Sequence, residues 1–373
     1  SRGPQKRCEG VTILAKKTIA VLFGGVSSEH EVSRMSATSV LNNLNREKFD
    51  VLAVGIKKDG SWHLYPGPTQ ALCTGEWEAC EENIPVAFCP GSGMKGLVAF
   101  ENGRVRELPV DVVFPVLHGK NGEDGTVQGL LEMAGLPYVG CGVLGSALCM
   151  DKVCANLVMD AAGIARCEWD YMEAWQLPDF DAIEQRVAEK LHYPIFVKPA
   201  NAGSSVGISK AADKAALRAA VELALRHDSR VVFERFVDGH EIECAVSGNE
   251  EVCATLPGEI LASAEFYTYD DKYVSGTSRV VIPAQLPAET LDAVRATAER
   301  AYRALCCRGL SRVDFFVEHG TGRVLLNEVN TMPGFTDISM YPKLKIAAGQ
   351  SYSQLLEELV GLALQRAREA AHV

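Results

Sequence analysis

Residues 312–330 read RVDFFVEHGTGRVLLNEVN. The stretch contains two strand-like runs, Ser311–Val317 and Arg323–Val329, which are rich in Val, Phe and Leu. The polar connection between them contains two glycines. A short Gly-containing connection between two such runs is typical of a β-hairpin. The sequence therefore predicts a hairpin centred on Thr321.

The predicted hairpin brings charged side chains together. It pairs Asp314 with Glu328 and Arg312 with Asn330, and all four share one face because side chains alternate along a strand. Two carboxylates this close repel each other unless a positive charge holds them. A Mg²⁺ ion would do so, since it commonly binds through a few carboxylates and substrate phosphates. An Arg–carboxylate network at the end of a sheet explains the same pattern equally well.

The composition narrows the class of protein. The chain has 373 residues, which suggests two or three domains at roughly 150 residues each. Its hydrophobic content of 47% excludes a disordered chain, and its net charge of −11 argues against a general nucleic-acid binder. No apolar run of about 18 residues occurs, so we expect no membrane-spanning helix. The 12 cysteines include no Cys-x-x-Cys pair, which predicts reduced, mostly buried thiols in a cytosolic protein.

The first third of the chain predicts an α/β domain. Strand-like apolar runs at Thr18–Phe23, Asp50–Ile56 and Val110–Val116 alternate with helical segments. Ligands of such sheets gather beyond the carboxyl ends of the strands. Glu29 and His118 follow two of these strands, so we expect both at a ligand site.

A lysine and a glycine-containing loop follow in the middle section, after a helical segment predicted at Ser146–Ala162. Lys198 ends a short strand, and residues 199–207 read PANAGSSVG. Backbone N–H groups of such a loop can cradle phosphate oxygens, and a lysine adds a positive charge. A plain hairpin turn is the more common explanation of such a loop.

A rival motif lies at residues 140–145, where GCGVLG fits the Gly-x-Gly-x-x-Gly dinucleotide pattern. It follows a short apolar segment and precedes a predicted helix, which keeps a nicotinamide-dependent oxidoreductase open. Glu168 and Asp170 lie near the distance expected for a ribose-binding acid, but no clear strand precedes them.

Two further segments carry polar residues suited to a ligand. Glu234 and Glu241 flank the turn at residues 236–239 and could hydrogen-bond a nucleoside or face water. Lys272 and Tyr273 lie in the irregular, aromatic segment Phe266–Ser278, which resembles a lid over an active site.

Taken together, these motifs resemble the D-alanine–D-alanine ligases, members of the ATP-grasp group. The resemblance runs from Lys17 to about Leu364, and residues 67–105 match only loosely. It rests on FGGVSSEHEVS at 23–33, LHGKNGEDG at 117–125, MDK at 150–152, VKP at 197–199, GSSVG at 203–207, ERFVDGHE at 234–241, DKY at 271–273, RVD at 312–314 and NEVNTMPG at 327–334.

The resemblance implies an α/β, three-domain ATP-grasp fold. Residues 1–15 would be a flexible extension and 16–140 an N-terminal parallel α/β domain for the first substrate. Residues 141–234 and 235–373 would form central and C-terminal α+β domains that enclose ATP. The implied reaction joins two D-alanines through an acyl phosphate, for peptidoglycan precursor synthesis. The implied cofactors are ATP and two Mg²⁺ or Mn²⁺ ions, and the implied state is a cytoplasmic homodimer with small-molecule substrates.

The resemblance also implies a role for each candidate residue. Glu29 would anchor the first ammonium beside His118, and Ser204 and Tyr273 would link the lid to Glu29. Arg312 and the Gly334 backbone N–H would stabilise the oxyanion and acyl phosphate, with Ser339 also in the catalytic set. The nucleotide would be bound by Lys152, Lys198, Glu234, Phe236, Val237, Glu241 and Lys272, and the metal ions by Asp314, Glu328 and Asn330.

Two local features predict the second substrate. Related ligases that use D-lactate lack the pair present here as Lys272-Tyr273, and D-lactate and D-serine types tend to carry Arg where this chain has Met340. A long apolar side chain suits the methyl group of D-alanine and offers no partner to a hydroxyl. We therefore expect D-alanine as the acceptor. A D-alanine–D-serine ligase, another ATP-grasp carboxylate–amine ligase and the oxidoreductase are the alternatives.

Overall fold

A computed structural model describes residues 16–91, 93–203, 206–261 and 279–370. Three β-sheets organise this part of the chain, one for each of the three segments that the sequence predicts as domains, and only β11 of the second sheet crosses a predicted boundary, by one residue at Arg235. The boundaries between those domains stay predictions. No helix among the described residues is long and apolar enough to cross a membrane.

The first sheet has seven strands in the order β6-β5-β4-β3-β2-β1-β7. Strands β2, β1 and β7 run parallel, as predicted, whereas β3 to β6 join antiparallel and extend the sheet on one side. Strand β1 is apolar because it lies in the middle of the parallel part and is buried on both faces. The strands are Lys17–Gly24 (β1), Phe49–Ile56 (β2), Trp62–Leu64 (β3), Ile84–Phe88 (β4), Gly96–Glu101 (β5), Arg104–Pro109 (β6) and Val112–Pro115 (β7).

Short helices accompany this sheet: His30–Asn43 (α1), Gln70–Thr74 (α2), Thr126–Met133 (α3) and a 3₁₀ turn at Glu76–Ala79. The loosely matching residues 67–105 thus supply a helix, a 3₁₀ turn and edge strands. They lie on the side of the sheet away from β7, where an insertion leaves the parallel strands undisturbed.

The second sheet has four strands in the order β10-β9-β11-β8. These are Trp169–Glu173 (β8), Ile195–Pro199 (β9), Ser209–Ala211 (β10) and Arg230–Arg235 (β11). The helices of this part of the chain are Val143–Met150 (α4), Lys152–Ala161 (α5), Phe180–Leu191 (α6) and Lys214–Ala224 (α7), with a 3₁₀ turn at Ala174–Asp179. Helices α6 and α7 pack on the second sheet, whereas Cys149 of α4 and Met159 of α5 pack in the core of the C-terminal segment.

The prediction of a single helix at Ser146–Ala162 is wrong, because the helix is interrupted at Asp151. The backbone of Asp151 is extended, and its carboxylate accepts a hydrogen bond of 2.9 Å from the N–H of Cys154. An N-cap residue needs this non-helical conformation, and Asp is among the preferred N-caps. The break makes Lys152 the first residue of α5.

The third sheet contains six strands, Gly239–Gly248 (β12), Val252–Ala254 (β13), Gly258–Leu261 (β14), Arg279–Val281 (β15), Gly309–Glu318 (β16) and Val324–Asn330 (β17). The predicted hairpin is β16–β17, and the predicted pairs Asp314–Glu328 and Arg312–Asn330 are confirmed. Nearer the turn the register differs by one, because a bulge places an extra residue, Asn327, on β17.

Three further helices complete the described chain, Ala288–Ala304 (α8), Met340–Ala347 (α9) and Tyr352–Ala370 (α10). Helix α10 belongs to the last segment of the sequence, yet it packs on the first sheet. Leu355 and Leu359 of α10 share one apolar core with Ile19 and Val21 of β1. This packing ties the N-terminal sheet to the C-terminal segment.

Candidate active site

A cavity of about 1300 Å³ opens where the three sheets meet, and every candidate residue that the structure describes lines it. Ser204, Lys272 and Tyr273 lie outside the described residues, as does the whole predicted lid at residues 266–278. The candidates in the wall are Glu29, His118, Lys152, Lys198, Glu234, Phe236, Val237, Glu241, Arg312, Asp314, Glu328, Asn330, Gly334, Ser339 and Met340.

An acidic face with a central arginine forms one wall. Arg312 donates two hydrogen bonds to Asp314, from Nε to Oδ1 and from Nη2 to Oδ2, each 2.7 Å long. Asn330 donates to the same carboxylate at 3.0 Å, and Nε of Arg312 lies 3.0 Å from Glu243 Oε2. Glu243 is opposite Asp314 on β12, and Glu328 is opposite Asp314 on β17. Three carboxylates thus lie side by side on neighbouring strands, with Arg312 among them.

The donor atoms of this wall suit a hard divalent cation. Asp314 and Glu328 offer carboxylate oxygens and Asn330 an amide oxygen, the ligand types that Mg²⁺ prefers. Among the described residues, no three His, Cys, Asp or Glu side chains converge into a complete metal site.

Two lysines face the cavity from the central segment. Lys198 forms an ion pair with Glu234, and although burial disfavours its charge, the Glu234 carboxylate raises the pKa of Lys198. Burial lowers the pKa of Lys152, whose Nζ donates to the carbonyl of Ala202 at 2.8 Å. The N–H of Lys152 also donates to the carbonyl of Ala200 at 3.0 Å. The base of the glycine-containing loop is therefore fixed beside both lysines.

An aromatic slot lies next to the lysines. The rings of Phe196 and Phe236 stack with centroids 5.9 Å apart, and Nζ of Lys210 lies 4.4 Å from the centre of the Phe236 ring. Val237 is buried beside them, and Glu241 lines the same part of the wall. Flat apolar walls edged by carboxylates suit a planar base with a hydroxylated sugar.

Glu29 and His118 lie at the carboxyl ends of strands β1 and β7, as predicted for a ligand site. The N–H of Glu29 donates to Ser27 Oγ at 3.2 Å, and Ser27 Oγ donates to the carbonyl of His118 at 2.7 Å. The ring of His118 donates from Nδ1 to the carbonyl of Met332 at 3.0 Å and accepts at Nε2 from Ser36 Oγ at 3.1 Å. Burial lowers the pKa of His118, which keeps the ring neutral. We expect it to shape the wall rather than to bind a substrate through a ring nitrogen.

The loop after β17 closes the far end of the cavity. Ser339 Oγ accepts a hydrogen bond of 3.1 Å from the N–H of Thr336. A Cβ at Gly334 would lie only 2.6 Å from Ser339 Oγ, so this close approach requires glycine. Met340 begins helix α9, is buried and lines the cavity next to Ser339.

The glycines of the rival dinucleotide motif serve packing. A Cβ at Gly145 would lie 2.7 Å from the carbonyl oxygen of Cys306, and one at Gly140 would lie 3.1 Å from the Met332 side chain. The segment before them makes only an isolated bridge at Tyr138 rather than a strand. The phosphate-binding context of a dinucleotide fold is therefore missing at this motif.

Comparison with known proteins identifies the family. Residues 18–141 match the family model described as D-ala D-ala ligase N-terminus, and residues 158–361 match the one described as D-ala D-ala ligase C-terminus. The chain belongs to the D-ala D-ala ligase family. It is an ATP-dependent ligase with the ATP-grasp fold, as the sequence predicted.

Relatives of this ligase match along nearly their whole length. The D-alanine–D-alanine ligase of Acetivibrio thermocellus is 49% identical over 365 residues, covering 94% of this chain and 96% of the relative. Among solved structures, the VanG D-Ala:D-Ser ligase from Enterococcus faecalis has a TM-score of 0.85 and 42% identity, covering 94% of this chain and all of the other. The D-alanine–D-alanine ligase from Coxiella burnetii has the same TM-score and 34% identity, covering 96% of both chains.

Several polar side chains in the wall of the ligase cavity were not among the predicted site residues, and three of them are Glu123, Lys210 and Glu243. The pattern Glu241-Ile-Glu243 could have revealed Glu243, because residues two apart share a face of a strand. Burial and the nearby Glu29 carboxylate raise the pKa of Glu123 to about 8. Such a shift marks a carboxyl in an unusual environment.

Proposed function

We propose that this ligase joins two molecules of D-alanine to D-alanyl-D-alanine at the expense of ATP, for peptidoglycan precursor synthesis. The observation that carries the proposal is the convergence of an acidic, arginine-bearing wall, two buried lysines and Glu29 on one cavity. A carboxylate–amine ligase needs groups that hold phosphates, a developing oxyanion and an ammonium at one place.

The proposed reaction has two steps. A carboxylate oxygen of the first D-alanine attacks the γ-phosphorus of ATP, which forms an acyl phosphate and releases ADP. The amine of the second D-alanine, after losing a proton, attacks the acyl carbon. The tetrahedral intermediate then expels phosphate and leaves the peptide bond.

The wall residues support these steps by charge and position. Glu29 would hold the ammonium of the first D-alanine, and Lys152 and Lys198 would neutralise the phosphates. Arg312 and the N–H of Gly334 would stabilise the oxyanion, an electrostatic role that is often the largest catalytic term. Asp314, Glu328 and Asn330 would hold Mg²⁺ or Mn²⁺, which supplies positive charge to the phosphates.

The nucleotide subsite is proposed along the aromatic slot. The base would lie against the Phe236 ring and the backbone of Val237. Glu234 would hydrogen-bond the base, and Glu241 would hydrogen-bond the ribose. Ser204, Lys272 and Tyr273 keep their predicted roles in the lid as proposals. The cytoplasm, where ATP is made, is the proposed location, and a homodimer is the proposed assembly.

Phosphate release from ATP tests the function. We expect release to require D-alanine and a divalent cation, with a product of the mass of an alanine dipeptide, and to stay at background with L-alanine. Equal release with both enantiomers, or no dipeptide, would contradict the proposal. Incubation with NADH and candidate carbonyl substrates, read by NADH absorbance, tests the oxidoreductase alternative.

The second candidate is a D-alanine–D-serine ligase. The similarity to the VanG D-Ala:D-Ser ligase favours it, since that structure covers 94% of this chain. The buried apolar Met340 beside Ser339 opposes it, because it gives no partner to a hydroxyl. A competition assay with equal D-alanine and D-serine, resolved by product mass, separates the two.

A further inference from the structure

Two loops from different sheets meet at the cavity. Residues 117–125 follow β7 of the first sheet, and residues 331–339 follow β17 of the third. Glu123 lies in the first loop and Gly334 in the second, and both line the cavity. A backbone N–H can stabilise a reacting oxygen only when its position is fixed, so the contacts between these loops matter for catalysis.

Glu123 and His118 hold the backbone of Met332 from two sides. Glu123 Oε1 accepts a hydrogen bond of 3.3 Å from the N–H of Met332, and Glu123 Oε2 accepts one of 2.7 Å from the N–H of Gly119. His118 donates from Nδ1 to the carbonyl of Met332 at 3.0 Å. The donor and the acceptor of one residue in the C-terminal loop are thus both bound by the N-terminal loop.

A second anchor lies three residues further on. The N–H of Phe335 donates to Ser36 Oγ at 3.2 Å, and Ser36 belongs to helix α1 of the N-terminal segment. Gly334 therefore lies between two residues, Met332 and Phe335, that the N-terminal segment holds. Pro333, next to Met332, has a fixed φ and removes further freedom.

The surroundings of Glu123 make it a costly place for a carboxylate. Burial and the charges of Glu29 and Glu328 raise the pKa of Glu123. The N–H groups of Gly119 and Met332 act in the opposite direction, because they bind the charged form. The two hydrogen bonds from backbone N–H groups offset part of the cost of burying this carboxylate.

We propose that Glu123 is a positioning residue that, with His118, clamps Met332 and thereby fixes the N–H of Gly334 in the cavity. The inference rests on the proposed function, in which this N–H stabilises the acyl phosphate and the oxyanion. In this proposal Glu123 acts on catalysis through the backbone of Met332.

Two variants of Glu123 and one control test the clamp. Glu123→Ala removes both hydrogen bonds, and Glu123→Gln keeps the shape but can retain only one acceptor for the two N–H groups. Asp124→Ala is the matched control, because among the described residues Asp124 accepts only local bonds, from the N–H of Asn121 at 2.8 Å and of Thr126 at 3.0 Å.

We expect kcat for dipeptide formation to fall roughly 30- to 100-fold in Glu123→Ala and about tenfold in Glu123→Gln, as for a misplaced catalytic donor. The KM for ATP should stay within about twofold, since the nucleotide subsite is formed by other residues. Asp124→Ala should keep kcat within about threefold. The clamp is wrong if Asp124→Ala loses as much activity as Glu123→Ala, or if Glu123→Ala keeps wild-type kcat.

Hydrogen exchange tests the clamp without any substrate. The amide of Met332 should exchange at least about tenfold faster in Glu123→Ala and in Glu123→Gln than in wild type, and at the wild-type rate in Asp124→Ala. Unchanged exchange in both Glu123 variants would overturn the clamp. If the wild-type protein makes no dipeptide but the Met332 amide still exchanges faster in both Glu123 variants, the proposed function is wrong and the clamp stands.

Discussion

Arg312 and Asp314 form two parallel hydrogen bonds, from Nε to Oδ1 and from Nη2 to Oδ2, each 2.7 Å long. The two residues share a face of β16, and the same guanidinium lies 3.0 Å from Glu243 on the neighbouring strand. A divalent cation that binds Asp314 must therefore share this carboxylate with Arg312. In the proposed mechanism, metal binding and oxyanion stabilisation would be coupled through the Asp314 side chain.

The metal site is tested by Asp314→Asn and Glu328→Gln. Each change replaces a charged oxygen with a weaker neutral ligand, so we expect turnover to fall on the order of a hundredfold or more while the chain still folds. The Mg²⁺ concentration for half-maximal rate should rise in both variants. Glu318→Gln, at the other end of the same hairpin, is the control. Wild-type turnover of either variant at ordinary Mg²⁺ concentrations would disprove the assignment.

The pairing of these residues could be predicted because it depends on local rules. The alternation of side chains and the Gly-containing connection determine that Asp314 faces Glu328. The bulge at Asn327 could not be predicted, since an extra residue in a strand depends on how the sheet packs. Next to the turn the strands pair one residue out of the predicted register, and the extra residue Asn327 restores the predicted register at Asp314 and Glu328.

Other features depend on contacts that are distant in sequence. Glu123 and Asp124 are adjacent acids in one loop, and only Glu123 reaches Met332, 209 residues away. Local sequence cannot distinguish the two. The helix break at Asp151, by contrast, depends on local sequence. An Asp whose side chain can accept from the backbone N–H three residues later, here that of Cys154, is a recognisable N-cap. The prediction missed this N-cap because the mostly apolar residues before Asp151 and after Lys152 resemble one continuous helix.

The buried ion pair between Lys198 and Glu234 predicts a separation of stability from activity. Lys198→Met leaves the buried Glu234 carboxylate without its cation, which should destabilise the fold by about 3–5 kcal/mol. Adding Glu234→Leu should restore most of the stability, because a well-packed apolar pair often replaces a buried ion pair without loss. Turnover should stay low in the double variant, since the positive charge for the phosphates is gone. Urea unfolding and ATP affinity measure the two effects, and a double variant with wild-type ATP affinity would contradict the assigned role of Lys198.

The raised pKa of Glu123 predicts how stability changes with pH. The folded chain has a pKa of about 8 at this carboxyl against an ordinary value of 4.5, so the folded state resists its ionisation. The stabilisation is complete below about pH 4.5 and is lost as the pH rises to about 8. Glu123→Gln lacks this loss. The free energy of unfolding of Glu123→Gln should therefore rise relative to that of wild type by about 1 kcal/mol per pH unit between pH 5 and pH 8. A constant difference across this range in urea unfolding would mean that Glu123 ionises normally.

The acceptor is predicted from Met340. This side chain is buried beside Ser339 and packs near Gly258, where a Cβ would lie 2.9 Å from its sulfur. An acceptor hydroxyl placed there would lack a hydrogen-bond partner, which costs about 1–3 kcal/mol and gives roughly a ten- to hundredfold preference for D-alanine. We expect D-serine to be a poor acceptor and D-lactate a negligible one at neutral pH.

Met340→Arg should raise the KM for the acceptor D-alanine more than the KM for ATP, because the change lies in the proposed acceptor subsite. Met340→Leu, which conserves the apolar character, should keep the wild-type preference and shows whether the Arg variant fails through misfolding. Equal use of D-serine and D-alanine by the wild-type enzyme in the competition assay would show that Met340 does not select the acceptor.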